Sequence, residues 1–134
     1  MNREIEFRGL RVSDKKWIEG DLLHDHWLHG DKFLKKSIRY LINGIYSFPI
    51  EVIPESVGQF TGKKDCYDKK VFTGDLISDR PNGKYICEVI FDNDLLSFAT
   101  RNIKTGGIIY LNNFTYAYIV GNIHEHPHLL TQQK

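Results

Sequence analysis

All six histidines of this 134-residue chain fall in two clusters, His24-Asp25-His26-Trp27-Leu28-His29 and His124-Glu125-His126-Pro127-His128. On a strand, residues i and i+2 share a face. His24 with His26, or His124 with His126, could therefore offer two imidazoles to one zinc, nickel or iron, and a neighbouring carboxylate would complete the set. The competing reading is of solvated histidines on a loop and near a fraying end. A second dense stretch, KKDCYDKKVFTGDLIS (63–78), joins lysines, acids, a cysteine and a Gly-Asp pair. With the preceding Gly58-Gln59-Phe60-Thr61-Gly62 it has the outline of a phosphate loop. Three residues rather than four separate its glycines, however, and no Ser or Thr follows the lysine pair. Turn formation explains it better: Gly turns the chain and Asp bonds nearby amides, so Asp65 and Asp75 read as turn residues before they read as catalytic carboxylates. No G-x-S-x-G nucleophile signature is present, and Cys66 and Cys87 lack metal or redox spacing.

The elements that would hold these residues read as strands. Glu4 to Arg8 alternates polar and apolar, Val12 to Lys16 is a polar turn, and Trp17-Ile18 restarts an apolar run, giving a first hairpin. Residues 37–42 and 45–50 flank Asn43-Gly44, the pair best suited to a type I′ turn. That register sets Ile42 against Ile45, Leu41 against Tyr46 and Tyr40 against Ser47. Both sides of the ribbon then carry apolar groups. Ile38, Tyr40, Leu41, Ile42, Ile45, Tyr46 and Phe48 form a candidate interface that needs cover from the chain or a partner. Short apolar segments then recur between turn words such as Thr-Gly-Asp, Asp-Asn-Asp and Thr-Gly-Gly, and Phe114 to Val120 reads as a closing strand. Helix is scarce: a short helix or turn around 31–36 and a helical turn starting at Pro127. The expected fold is mainly β, a small curved antiparallel sheet or partly open SH3-like or OB-like barrel with an extra N-terminal hairpin region.

Composition narrows the partners. The net charge of +1, from 18 basic and 17 acidic residues, argues against broad electrostatic attraction to nucleic acid or anionic lipid. No signal peptide or membrane span is evident, and two cysteines suit a reducing cytoplasm. One domain is expected, with residues 1–57 as a hairpin region, 58–130 as the core and 131–134 as a tail. No cofactor is expected.

The ordered motifs resemble a known family. Arg3 to Arg8, then Gly58 to Asp65, then Val71-Phe72-Thr73-Gly74-Asp75-Leu76-Ile77, then Val120-Gly121-Asn122-Ile123 through Pro127 to Leu130 are similar to the YopX-like proteins of bacteriophages and prophages. The likeness spans essentially the whole chain and is weakest over residues 20–57. It implies a mostly β accessory protein of mobile bacterial DNA, with no established activity. Gln59, Thr61, Gly62, Asp65, Gly74, Asp75, Gly121, Asn122 and Pro127 are the motif positions retained, and all but Gln59 are turn-forming types. Tyr67-Asp68-Lys69-Lys70 and the histidines around Pro127 depart from the family wording, so a shared metal site is not implied. The leading functional expectation is binding to an unidentified protein, or homo-oligomerisation, through the 37–50 ribbon. Two alternatives stand beside it. One is a single-stranded nucleic-acid module using the aromatics of the second half with Lys63, Lys64, Lys69 and Lys70; the other is a metal-dependent enzyme built on the histidines.

Overall fold

The computed structural model describes residues 4–26, 35–81, 83 and 85–130. The chain divides into two compact units, Met1–Phe60 and Thr61–Lys134. Its class is mainly β, as the turn-punctuated apolar runs predict, and its sheets are antiparallel and not closed into a barrel.

In the first unit, β1 (Phe7–Leu10) and β2 (Trp17–His26) form the expected first hairpin, from Phe7↔Gly20 to Leu10↔Trp17. Arg11 and Asp14 hold its turn through a guanidinium–carboxylate pair, and the Lys16 amide donates to Asp14 Oδ1 at 3.1 Å. β3 (Lys35–Arg39) lies on the other side of β2, and β6 (Ile50–Glu51) lies beside β3. Between them, β4 (Leu41–Ile42) and β5 (Ile45–Tyr46) are joined by Asn43-Gly44 at φ 51° and 79°. The register is as the Asn-Gly pair dictates, Ile42↔Ile45 and Leu41↔Tyr46. β7 (Gly58–Lys64) pairs with β1 through its first residues. The core is Ile18, Ile38 and Val52, flanked by Phe7, Leu22, Tyr40, Ile50 and Val57. Ser56, 2% exposed, ties the unit together: its Oγ accepts from the Leu10 amide at 2.8 Å and donates to the Ile53 carbonyl at 2.6 Å.

In the second unit the later part of β7 neighbours β8 (Lys70–Phe72), and a five-stranded sheet follows. It consists of β9 (Asp75–Ser78), β10 (Ile86–Asp92), β11 (Ser97–Asn102), β12 (Ile108–Tyr110) and β13 (Tyr118–Asn122), in the order β12-β11-β10-β9-β13. Val71, Ile77, Cys87, Val89, Leu111, Phe114 and Ala117 fill its core. The last strand starts at Tyr118 rather than Phe114, because residues 111–113 form a 3-10 turn. That turn drops Leu111, Phe114 and Ala117, three residues apart, into the core. A 3-10 turn over Pro127–Leu130 matches the expectation of a helical turn at the proline. The turn expected around 31–36 falls largely outside the described residues, and Lys35 and Lys36 begin a strand instead. Residues 131–134 lie outside the described residues. Among the described residues no helix is long and apolar enough to cross a membrane, which says nothing of membrane β-barrels.

Candidate functional site

The motif acids are consumed by their own turns. Asp65, 7% exposed, accepts from the amides of Tyr67 at 2.9 Å and Lys69 at 2.8 Å through one oxygen, and Asp68 completes the turn at φ 66°. Thr61 Oγ1 donates to the Val71 carbonyl at 2.8 Å and accepts from the Lys63 amide at 3.2 Å, clasping β7 to β8. Asp75, 1% exposed, accepts the Phe72 amide at 2.8 Å across a turn that needs Gly74 at φ 94°. Asn122 repeats the device: its Oδ1 accepts from His124 at 3.0 Å and Glu125 at 2.8 Å, and its Nδ2 donates to Glu125 Oε1 at 3.0 Å. Gly58 to Lys64 is a strand whose amides serve a sheet, not a phosphate cradle. Gln59 lies in it opposite Phe7, Gly62 turns at φ 89°, Gly121 pairs with Leu76, and Pro127 starts the last 3-10 turn.

Trp17 to Leu23 and Val71 to Ile77 share a pattern of two apolar residues, a polar one, Gly-Asp and two apolar ones, but the two Gly-Asp pairs differ in structure. Gly74-Asp75 is a turn, whereas Gly20 and Asp21 lie inside β2. Gly20 is there because the Arg39 carbonyl approaches so closely that a Cβ would stand 2.2 Å from its oxygen.

The histidines divide likewise. His124 lies beside Gly74, and His126 lies over Gly121, where a Cβ would meet its ring at 2.9 Å. The Asn122 amide donates to His126 Nδ1 at 3.1 Å. In the neutral ring that bond places the proton on Nε2 and leaves no lone pair for a metal. The side chains of His24 and His26, and all of His29, lie outside the described residues. Among the described residues no three His, Cys, Asp or Glu side chains gather as a metal site.

Of the second-half aromatics, Phe60, Phe72 and Phe114 are core. Tyr67 and Tyr116 are each 65% exposed. Tyr67 packs edge-on against Tyr118 at 5.6 Å, and a hydrogen bond with Cys66 raises the Tyr118 pKa above its ordinary value. Lys64 reaches Asp68 at 3.7 Å. A shallow concavity of about 380 Å³ lies elsewhere in this unit, between Thr61, Lys63, Phe98, Leu111 and Asn112.

Among the described residues of the first unit, the Asn-Gly ribbon brings together three exposed large apolar side chains. Phe48 is 91% exposed, Ile45 73% and Tyr46 47%. With Tyr40, Ser47 and Ile50 they line an open groove of about 470 Å³. The ribbon does not keep all its apolar residues for this surface. Ile38 is fully buried under the sheet, while the side chains of Leu41 and Ile42 lie outside the described residues. Pro49, which has no amide to give a ladder, marks the break between the β4–β5 pair and the β3–β6 pair. The break turns Phe48 outward. The Ser47 amide donates to the Tyr40 carbonyl at 2.8 Å, and the Tyr40 amide donates to Ser47 Oγ at 3.0 Å, so the groove wall is held by hydrogen bonds. Arg39 lays its guanidinium 4.0 Å over the Tyr46 ring. Sequence reasoning missed Arg39. Its signal was its position one residue before Tyr40 in a ribbon whose Tyr46 offers a π face.

A search of curated proteins finds no match to this chain. The fold is similar to that of a solved structure, the crystal structure of protein EF1440 from Enterococcus faecalis. The TM-score is 0.55 at 19% identity, over 96% of this chain and 99% of that one. A family model described as YopX protein matches residues 6–131, nearly the whole chain, and takes in every turn motif described above. The chain belongs to the YopX family.

Proposed function

We propose that this protein is a phage or prophage accessory factor that works by binding another protein, with the ribbon groove at residues 40–50 as its contact surface. One observation carries the reading. Ile45, Tyr46 and Phe48 are large, exposed and contiguous around a groove, where a single exposed apolar residue would need no explanation. Aromatic anchors beside an arginine are also the residue types that dominate protein interfaces. The free thiols of Cys66 and Cys87 suit work in a reducing cytoplasm. The motif acids support no catalytic role, since backbone amides already occupy them.

The test is capture from a bacterial lysate by the full chain and by Phe48→Asp, with mass spectrometry of what is retained. Proteins held by the natural chain and lost by the variant are the expected result. Equal retention by both would sink the reading. A second reading rests on Tyr67 and Tyr116, each 65% exposed, with Lys64 and Lys69 near Tyr67 in sequence, the residue types a single-strand binding surface uses. Titration with labelled oligonucleotides decides it. Affinity that falls with salt and is lost in Tyr67→Ala is expected, and no binding at low salt refutes it.

A further inference from the structure

The second unit departs from turn chemistry at one exposed point. The β10–β11 connection runs Asp92-Asn93-Asp94-Leu95-Leu96-Ser97, and Asp92 Oδ1 caps it by accepting from the amides of Asp94 and Leu95, each at 2.9 Å. It closes with Leu96 at φ 52°, a left-handed position that Gly or Asn takes at small cost and a bulky side chain takes reluctantly. Leu96 is also 78% exposed, so core packing does not compensate the strain. Asp94 beside it is exposed, and among the described residues no cation pairs with it.

The groove of the first unit lacks what this tip offers. Arg39 stacks on Tyr46 at the groove wall, and among the described residues no carboxylate forms an ion pair with it, not even Asp21 opposite it on β2. An arginine in that position calls for a carboxylate set close to an apolar side chain. Asp94 and Leu96 present that pair two residues apart.

We infer that the groove of one copy receives the Asp94–Leu96 hairpin tip of a second copy. Leu96 seats against Ile45 and Phe48, and the Asp94 carboxylate accepts from Arg39. This rests on the reading of the 40–50 groove as a binding surface, and it names the occupant. Groove and tip are different patches, so every copy carries one of each.

Sedimentation velocity on the untagged full chain tests it. The natural chain should gain mass with concentration, while Phe48→Asp and Leu96→Asp each stay monomeric. Their equimolar mixture should form a one-to-one dimer, because the first keeps an intact tip and the second an intact groove. Asp94→Lys should weaken self-association about tenfold. Leu96→Asn relieves the left-handed strain, so it should keep or raise the melting temperature while losing association, which separates the contact from folding. A natural chain that stays monomeric to about millimolar concentration overturns the inference, as does a mixture that stays monomeric or a Leu96→Asp variant that still associates. The two readings fail separately. If Phe48→Asp loses captured lysate proteins while the natural chain is monomeric, the groove stands and the second copy falls. If Phe48→Asp alters neither capture nor self-association, both fall.

Discussion

Replacing Asp75 tests whether the most buried motif acid is a turn device. Its Oδ2 accepts the Phe72 amide at 2.8 Å, with Asp75 1% and Phe72 2% exposed. Asp75→Ala removes the carboxylate acceptor of the Phe72 N–H without giving water a way in to replace it. That costs about 1–3 kcal/mol, and the small void left by the carboxylate adds to it. A loss of about 3 kcal/mol corresponds to roughly a hundredfold rise in the opening equilibrium of the β8–β9 turn. Asp75→Asn keeps an oxygen acceptor in the same place and gives up only the charge, at a cost of about 1 kcal/mol. Urea denaturation followed by far-UV circular dichroism gives the global ranking. Amide exchange at Phe72 reads the local effect, and its protection should fall by about one to two decades in the alanine variant and by less than one in the asparagine variant. Two results would refute the reasoning. In one, Asp75→Ala sits within about 0.5 kcal/mol of the natural chain. In the other, Asp75→Asn costs as much as Asp75→Ala, which would mean the charge rather than the acceptor matters.

Gly20→Ala sets a Cβ 2.2 Å from the Arg39 carbonyl oxygen and 3.0 Å from its carbon, backbone that cannot step aside without opening β2 from β3. It should cost about 2–3 kcal/mol and lower the melting temperature by several degrees, and an unchanged melting curve would contradict the close approach. Cys87 is 1% exposed, and burial pushes its thiol pKa up, while Cys66 is exposed. A thiol reagent should therefore label Cys66 alone in the native chain and both cysteines in denaturant. Hydrogen bonding from Arg11 holds the Asp14 carboxyl at about 2, below its ordinary value of 3.8. The unfolded chain thus binds more protons in that window, so the Asp14 contribution is whole above about pH 4 and fades as pH falls toward 2. Urea midpoints of the natural chain and Asp14→Asn should differ at pH 5 and converge at pH 2.5. Parallel curves would remove the effect.

Local rules carried much of the fold. Asn43-Gly44 fixed one hairpin to the residue, because a two-residue turn with positive φ at both positions sets the register of its strands. What local rules cannot supply is the partner across the sheet. Gly58 to Lys64 holds two glycines and one large apolar residue, so nothing in it alternates as a strand should. It is a strand because β1 and β8 pair with it. Gly20 has no local cause for the same reason: what requires it is the backbone of Arg39, nineteen positions away. The ribbon's two-sided apolar character was legible as composition. Its division into a buried Ile38 and an outward Phe48 was not, since it depends on which neighbours cover β3.

Most left-handed residues here are of the expected types: Gly44, Gly62, Gly74 and Gly106, with Asn43 and Asp68. Among the described residues, Lys15 and Leu96 are the exceptions. Lys15 sits in the β1–β2 turn, where its amide donates to the Arg11 carbonyl at 2.9 Å and its ammonium donates to the Val12 carbonyl at 3.4 Å. Leu96 has no such account, because its apolar side chain gains nothing from solvent, and a change to Gly or Asn would relieve about 1 kcal/mol. Where a chain satisfies turn chemistry almost everywhere, a costly and exposed exception points to a constraint other than folding. The same logic applies to Phe48, 91% exposed where Phe7 and Phe60 of the same unit are more deeply buried. Each is removable without harm to the core, and each unit holds one. A contact that uses both gives the two exposures a single cause.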